Sequence, residues 1–186
     1  MSLSKVINHG EGEKHSLSKA LLKSFSLVTA TAIGCISIAT SATAASFSFA
    51  FGSKGTVNGQ FNNPFGIAVG SGGNIYVADT ANNRVQVFNS NGVFQSTLGS
   101  NGTGNGQFNN PRGIAVGSGG NIYVAERLNN RVQIFNSSGV FQSTFGSFGT
   151  GNGQFRVPNG IAVGSGGNIY VGSAEKVIEK HRSLNQ

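Results

Sequence analysis

The chain has no tryptophan, one cysteine, one methionine and three prolines, and only 10% of its 186 residues carry charge. A single cysteine can neither close an internal disulfide nor supply the ligand set of a zinc finger. Charge at this level, against about 25% in an average soluble domain, excludes a long helical protein laced with salt bridges. No run repeats its apolar residues at a 3.6-residue period over a length that suits a helix. Glycine, by contrast, is abundant: 29 residues, roughly twice the usual share of about 7%. Fourteen phenylalanines and a 38% apolar content are enough for a core. The glycine excess therefore points to many turns between short strands, not to disorder.

Residues 1–44 are of a different kind. Lys5, Lys14, Lys19 and Lys23 precede a stretch with no charged side chain before Lys54, SFSLVTATAIGCISIAT at residues 24–40 is apolar to neutral, and Ala42-Thr43-Ala44 has the small-x-small pattern that signal peptidase cleaves. An export signal over 1–44, with Ala45 as the mature start, is expected. The mature chain would then hold no cysteine and be indifferent to an oxidising exterior. Two alternatives stand beside it. Thr31-Ala32-Ile33-Gly34-Cys35 loosely fits a lipoprotein box that would anchor the chain at Cys35, and the uncharged run is long enough to span a bilayer uncleaved. Cleavage implies no stable membrane insertion and a secreted, periplasmic or extracellular location.

The strongest signal is a repeat. Residues 59–105 lie over 106–152 without a gap, a period of 47, and a third copy runs from 153 to 171. Phe47, Phe51, Gly52 and Gly55 stand one period before Phe94, Leu98, Gly99 and Gly102, so a partial copy precedes the first. Periods of this length mark solenoids, propellers or arrays. Within one repeat, four short runs are separated by turn residues: Gly66 to Val69, Asn74 to Ala78, Arg84 to Phe88 and Val93 to Leu98. Ile75 and Val77 alternate with Tyr76, Val85 and Val87 with Gln86, and Asn91-Gly92 suits a hairpin. Four antiparallel strands in 47 residues make a propeller blade.

PFGIAVGSGGNIYVADTANNRVQVF, PRGIAVGSGGNIYVAERLNNRVQIF and PNGIAVGSGGNIYV resemble NHL repeats across roughly residues 46–171. The resemblance implies an all-β fold of NHL-type propeller blades, commonly six to a ring, used mainly as a binding scaffold. Residues 45–171 then hold about three four-stranded blades, an incomplete or half propeller, followed by a divergent charged tail over 172–186. The chain opens on what would be a fourth strand, Phe47 to Phe51. In the tail, Lys176-Val177-Ile178 could serve as a short third strand; a frayed helix or the out-of-frame end of a truncated gene are the alternatives. Two such arcs could pair as a homodimer completing a six-bladed ring, or the chain could be a fragment of a longer propeller.

Motifs that would carry chemistry are sparse. Asp79 and Arg84 recur as Glu126 and Arg131, five residues apart across the same turn, and are expected as structural ion pairs. The thrice-repeated GSGGN lacks the lysine and following helix of a phosphate loop and the aspartate of a calcium repeat. The innermost strand, Gly-Ile-Ala-Val, has no carboxylate or histidine with which to hold calcium or zinc in the channel. No hydroxyl has an activating partner at a repeat-equivalent position. The chain is therefore read as non-enzymatic, with no catalytic residue, metal or cofactor; a metal-dependent propeller lyase or lactonase, of which it would be a fragment or subunit, is the alternative.

From Ala45 onward, nine Lys and Arg stand against four Asp and Glu, a net +5. Without a dense basic stripe or interleaved aromatics this does not favour nucleic acid, and an anionic polysaccharide or a protein is the better partner. The positions at which the copies differ most are Phe65/Arg112/Asn159, Thr80/Arg127, Ala81/Leu128, Asn101/Phe148 and Asn62-Asn63 against Arg156-Val157. They fall in the loops from fourth to first and from second to third strands, which antiparallel geometry places on one rim. That rim, with Phe65, Arg112, Arg127, Leu128, Phe148, Arg156 and Asn159, is the candidate binding face.

Overall fold

A computed structural model of the chain describes residues 48–180. The chain divides into two units, Met1–Ser46 and Phe47–Gln186, and everything described lies in the second. The expected export signal, the processing point before Ala45 and Cys35 lie outside the described residues. Among the described residues, no helix is long and apolar enough to cross a membrane.

The strands are short, and glycine turns separate most of them. In chain order they are β1 (Ser53–Lys54), β2 (Gln60–Phe61), β3 (Pro64–Val69), β4 (Ile75–Asp79), β5 (Arg84–Phe88), β6 (Phe94–Leu98), β7 (Ser100–Asn101), β8 (Gln107–Phe108), β9 (Pro111–Val116), β10 (Ile122–Glu126), β11 (Arg131–Phe135), β12 (Phe141–Phe145), β13 (Gly160–Val163), β14 (Ile169–Gly172) and β15 (Val177–Lys180). β3 to β6 form one four-stranded sheet, β9 to β12 a second, and β13 to β15 a three-stranded third, each in chain order. Neighbours are antiparallel throughout these sheets. These are propeller blades, all-β and not closed into a ring. β1 with β2, and β7 with β8, make small parallel pairs in the loops that lead into the first strands of blades 1 and 2.

Two boundaries differ from the sequence expectation for physical reasons. β3 and β9 begin at Pro64 and Pro111, because proline lacks an N–H and is tolerated as a strand's first residue. β4 and β10 extend to Asp79 and Glu126, which pair in register with Arg84 and Arg131. The tail supplies a true third strand, with β15 pairing Val171 with Ile178 and Tyr170 with Glu179. The expected leading strand, Phe47 to Phe51, is corrected: over residues 48–51 it makes no ladder, since no described residue offers it a neighbouring strand. Phe51 still packs on Phe88, 4.9 Å between ring centres, and against Gly92. Leu98, one period later, lies against Gly139 in the same way.

Blades join through alternate side chains of their central strands. Tyr76, Ala78 and Val85 of blade 1 pack on Ile114, Ile122 and Val124 of blade 2, with Phe108 and Phe135 alongside. One period on, Tyr123, Ala125 and Val132 pack on Ile169, Val171 and Phe155. The innermost strands approach so closely that side chains are excluded. A Cβ on Gly66 would stand 2.1 Å from the Arg112 carbonyl oxygen, and one on Gly113 would stand 2.9 Å from that of Asn159. Gly160, which begins the third innermost strand, has nothing within 4 Å of that position.

Among the described residues, the outer faces of blades 1 and 3 have no such neighbours. Ile67 is 64% exposed where its equivalent Ile114 is 6% exposed. Beside it lies a groove of about 250 Å³ lined by Phe51, Phe61, Phe65, Ile67 and Val77. At the other end Tyr170 is 37% exposed against 7% for Tyr123, and Val177 is 71% exposed against 0% for Val132.

The loop into each first strand turns through a left-handed residue: Asn63 (φ 53°), Asn110 (φ 57°) and, in blade 3, Val157 (φ 57°). Asparagine tolerates this region, whereas a β-branched side chain there is strained by about 1–3 kcal/mol. Val157→Asn is expected to stabilise the fold by about 1 kcal/mol in urea denaturation, and a loss of stability would show that Val157 makes compensating contacts.

Candidate functional site

The loop entering each blade and the turn between its second and third strands meet on one rim. Ala81 N donates to the Asn62 carbonyl at 3.0 Å; Arg127 N donates to that of Asn110 at 3.0 Å, and Leu128 N to that of Asn109 at 3.3 Å. Beneath them the carboxylates of Asp79 and Glu126 are wholly buried. Asp79 accepts from Asn62 N (2.7 Å), Asn82 Nδ2 (2.9 Å), Arg84 Nε (2.8 Å) and Gln86 Nε2 (3.0 Å). Glu126 accepts from the equivalent Asn109 N, Asn129 Nδ2, Arg131 Nε and Gln133 Nε2. The Nη2 atoms of Arg84 and Arg131 donate to loop carbonyls, Val57 and Gln60 in one blade, Gly104 and Gln107 in the next. Four scaffold donors converge on each buried carboxylate, so these groups hold the rim in place and are shielded from a substrate. In blade 3 the Ser173 hydroxyl binds the Arg156 backbone, and Lys176 Nζ takes over the arginine's role on the Thr150 and Gly151 carbonyls.

Phe65, Arg112 and Asn159, equivalent residues of three successive blades, meet where the innermost strands begin. The Arg112 guanidinium lies 4.6 Å over the Phe65 ring, and its Nη1 donates to Asn159 Oδ1 at 3.1 Å. Phe148 and Arg156 form a second group, with the guanidinium 5.5 Å over the ring and paired with Glu175 at 2.9 Å. Arg127 and exposed Leu128 sit on the turn of blade 2, and no contact ties their side chains to either group among the bonds and ring contacts described. The seven rim residues thus resolve into two contacting groups and a pair on the blade 2 turn.

Among the described residues, the buried side-chain polar atoms without a hydrogen-bond partner are Asn110 Oδ1, Arg112 Nε and Arg127 Nε. All three belong to the rim of blade 2. The contrast with blade 1 is informative: at Arg127's equivalent, Thr80 Oγ1 donates to the Pro111 carbonyl at 2.7 Å, tying blade 1 to blade 2. Arg127 has given up that bond, leaving unmet hydrogen-bonding capacity at a point where a positive charge reaches the rim. Asn110 shares the position of Asn63 and Val157, where the copies differ only in blade 3, and Glu175 lies beyond the repeat, outside any comparison between copies. Among the described residues, no three His, Cys, Asp or Glu side chains cluster as a metal site would require.

The model of the NHL repeat matches residues 61–88 and 108–135, the spans from the loop before the first strand to the end of the third in blades 1 and 2. The chain is 51% identical over 45 residues to the B-box type zinc finger protein ncl-1 of Caenorhabditis elegans, a match covering 24% of this chain and 5% of that protein. It is 47% identical over 45 residues to the protein brain tumor of Drosophila melanogaster, covering 24% of this chain and 4% of that one. The chain therefore spans about a twentieth of these relatives. Among solved structures, hydrazine synthase of Kuenenia stuttgartiensis superposes with a TM-score of 0.50 at 16% identity, covering 64% of this chain and 31% of that one, a likeness of fold alone. The 47-residue period, the four-stranded sheets and the matched spans agree that blades 1 and 2 of this chain each carry an NHL repeat.

Proposed function

We propose that the blades form a non-enzymatic binding module, whose partner is a protein or an anionic polysaccharide engaged by the rim of blade 2. The observation that carries this reading is the concentration there of Asn110 Oδ1, Arg112 Nε and Arg127 Nε, three buried polar atoms with no partner. Exposed Phe65 and Leu128 beside them offer apolar contact area, a mixture of arginine and large apolar groups that interfaces favour. The basic segment, uncharged stretch and Ala42-Thr43-Ala44 support export with cleavage before Ala45, which would place the module outside the cell.

Arg112→Ala combined with Arg127→Ala is expected to weaken retention on an acidic polysaccharide column and to flatten its salt dependence, with an unchanged circular dichroism spectrum. Retention equal to that of the parent would sink the anionic partner. Calcium or zinc carried through purification would instead favour a metal-dependent lyase or lactonase.

A further inference from the structure

The two ends of the arc are each missing what the other end holds. Among the described residues, β15 has a neighbour only on its β14 side, whereas its equivalents β5 and β11 each carry a fourth strand. A groove of about 440 Å³ lies between β15 and the end of β12, lined by Phe145, Ile178 and Lys180 among others. At the opposite end, residues 48–52 lie where the fourth strand of a preceding blade would lie, anchored by Phe51 as Leu98 anchors β6, with no sheet to join. We propose that the occupant of both ends is a second copy of this chain. Residues 48–52 of each copy add as the fourth strand to β15 of the other, and two three-bladed arcs close into one six-bladed ring.

The chain itself supplies the template for this contact. The face of blade 1 that no described residue covers exposes Ile67 and Val69, whose equivalents Ile114 and Val116 cover blade 1 from blade 2. The bare face of blade 3 carries Ala162 and Tyr170, equivalent to Ala68 and Tyr76, which receive them. The new interface thus continues one already built twice within the chain. Rings hold about 4–8 blades, and two arcs of the three described blades make six. Because the two surfaces differ, the contact is head to tail and must close to avoid open filaments. Register follows from the repeat. Gln86 pairs with Thr97 and Gln133 with Thr144. Ile178 holds the glutamine's place opposite Val171, and Ala50 stands one period before Thr97. Ala50 of one copy therefore pairs with Ile178 of the other.

The test uses the full chain in a Cys35→Ser background. Ala50→Cys with Ile178→Cys should give a covalent dimer on mild oxidation, while Ala50→Cys with Lys180→Cys, one pair out of register, should give about tenfold less. Gly160→Ala is the second variant. A Cβ there meets nothing within 4 Å in the single chain, yet in the ring it would stand where Gly66 and Gly113 meet the next blade. It should leave the thermal unfolding of the monomer unchanged and weaken dimerisation about tenfold or more, measured by sedimentation. A monomer in sedimentation, a disulfide closed within one chain, filaments in place of a dimer, or association insensitive to both register and Gly160→Ala would each overturn the proposal.

Discussion

Replacing Glu126 with alanine is expected to cost the fold about 3–5 kcal/mol, measured by urea denaturation, because removing one member of a buried ion pair strands the other. The magnitude follows from the surroundings. Four donors converge on this carboxylate, from Asn109 N, Asn129, Arg131 and Gln133, and the side chain has no exposure to water that could replace them. Domains are stable by only about 5–15 kcal/mol, so such a loss would leave much of the protein unfolded at moderate temperature. Glu175→Ala removes the partner of Arg156 in an exposed pair and should change stability by no more than about 0.5 kcal/mol. Similar effects from the two substitutions would mean that the Glu126 network is hydrated in solution.

Gly66→Ala is the second large effect expected. The new methyl would stand 2.1 Å from the Arg112 carbonyl oxygen, a backbone atom that can yield only if the innermost strands of blades 1 and 2 part. Overpacking of this kind costs about 1–3 kcal/mol and occasionally more, and a rigid obstacle puts Gly66→Ala at the upper end. Gly113→Ala, with its nearest atom at 2.9 Å, should cost less. Gly72→Ala, in an open turn with nothing within 4 Å, serves as the control and should stay within about 0.5 kcal/mol. Ranked thermal midpoints of the three variants check the order. If Gly66→Ala proved as mild as Gly72→Ala, the blades would have to be further apart than described.

Much of this architecture was legible because strand and turn patterns are local. Alternation in Ile75-Tyr76-Val77 and Val85-Gln86-Val87, repeated at a fixed period, defines strands wherever it occurs. What escaped is what depends on contacts between repeats. Gly66 reads as the start of a strand, and nothing nearby says that the next blade's backbone lies against it. Asp79 and Arg84 stand near each other in sequence, but Asn62 N and Gln86, which complete the acceptor's shell, are 17 and 7 residues away. Residues 48–51 have the composition of a strand without its ladder, because backbone hydrogen bonds need a partner that sequence alone does not promise. On the rim, the copies differ at Arg112 and Arg127, and at the position of Asn110 only through Val157; that Asn110 Oδ1 lacks a partner depends on what its neighbours fail to offer it.

The dependence of each blade on its neighbours also sets how the arc breathes. Blade 2 has close contacts on both sides, whereas blades 1 and 3 have one covered face each in the single chain. Where stability is a sum of nearest-neighbour terms, opening starts at the flanks and reaches the centre last. Arg112 and Arg127, carried by the central blade, therefore keep their arrangement through fluctuations that momentarily unseat β15 or Phe51. The blade 2 rim thus stands on the part of the molecule expected to open last.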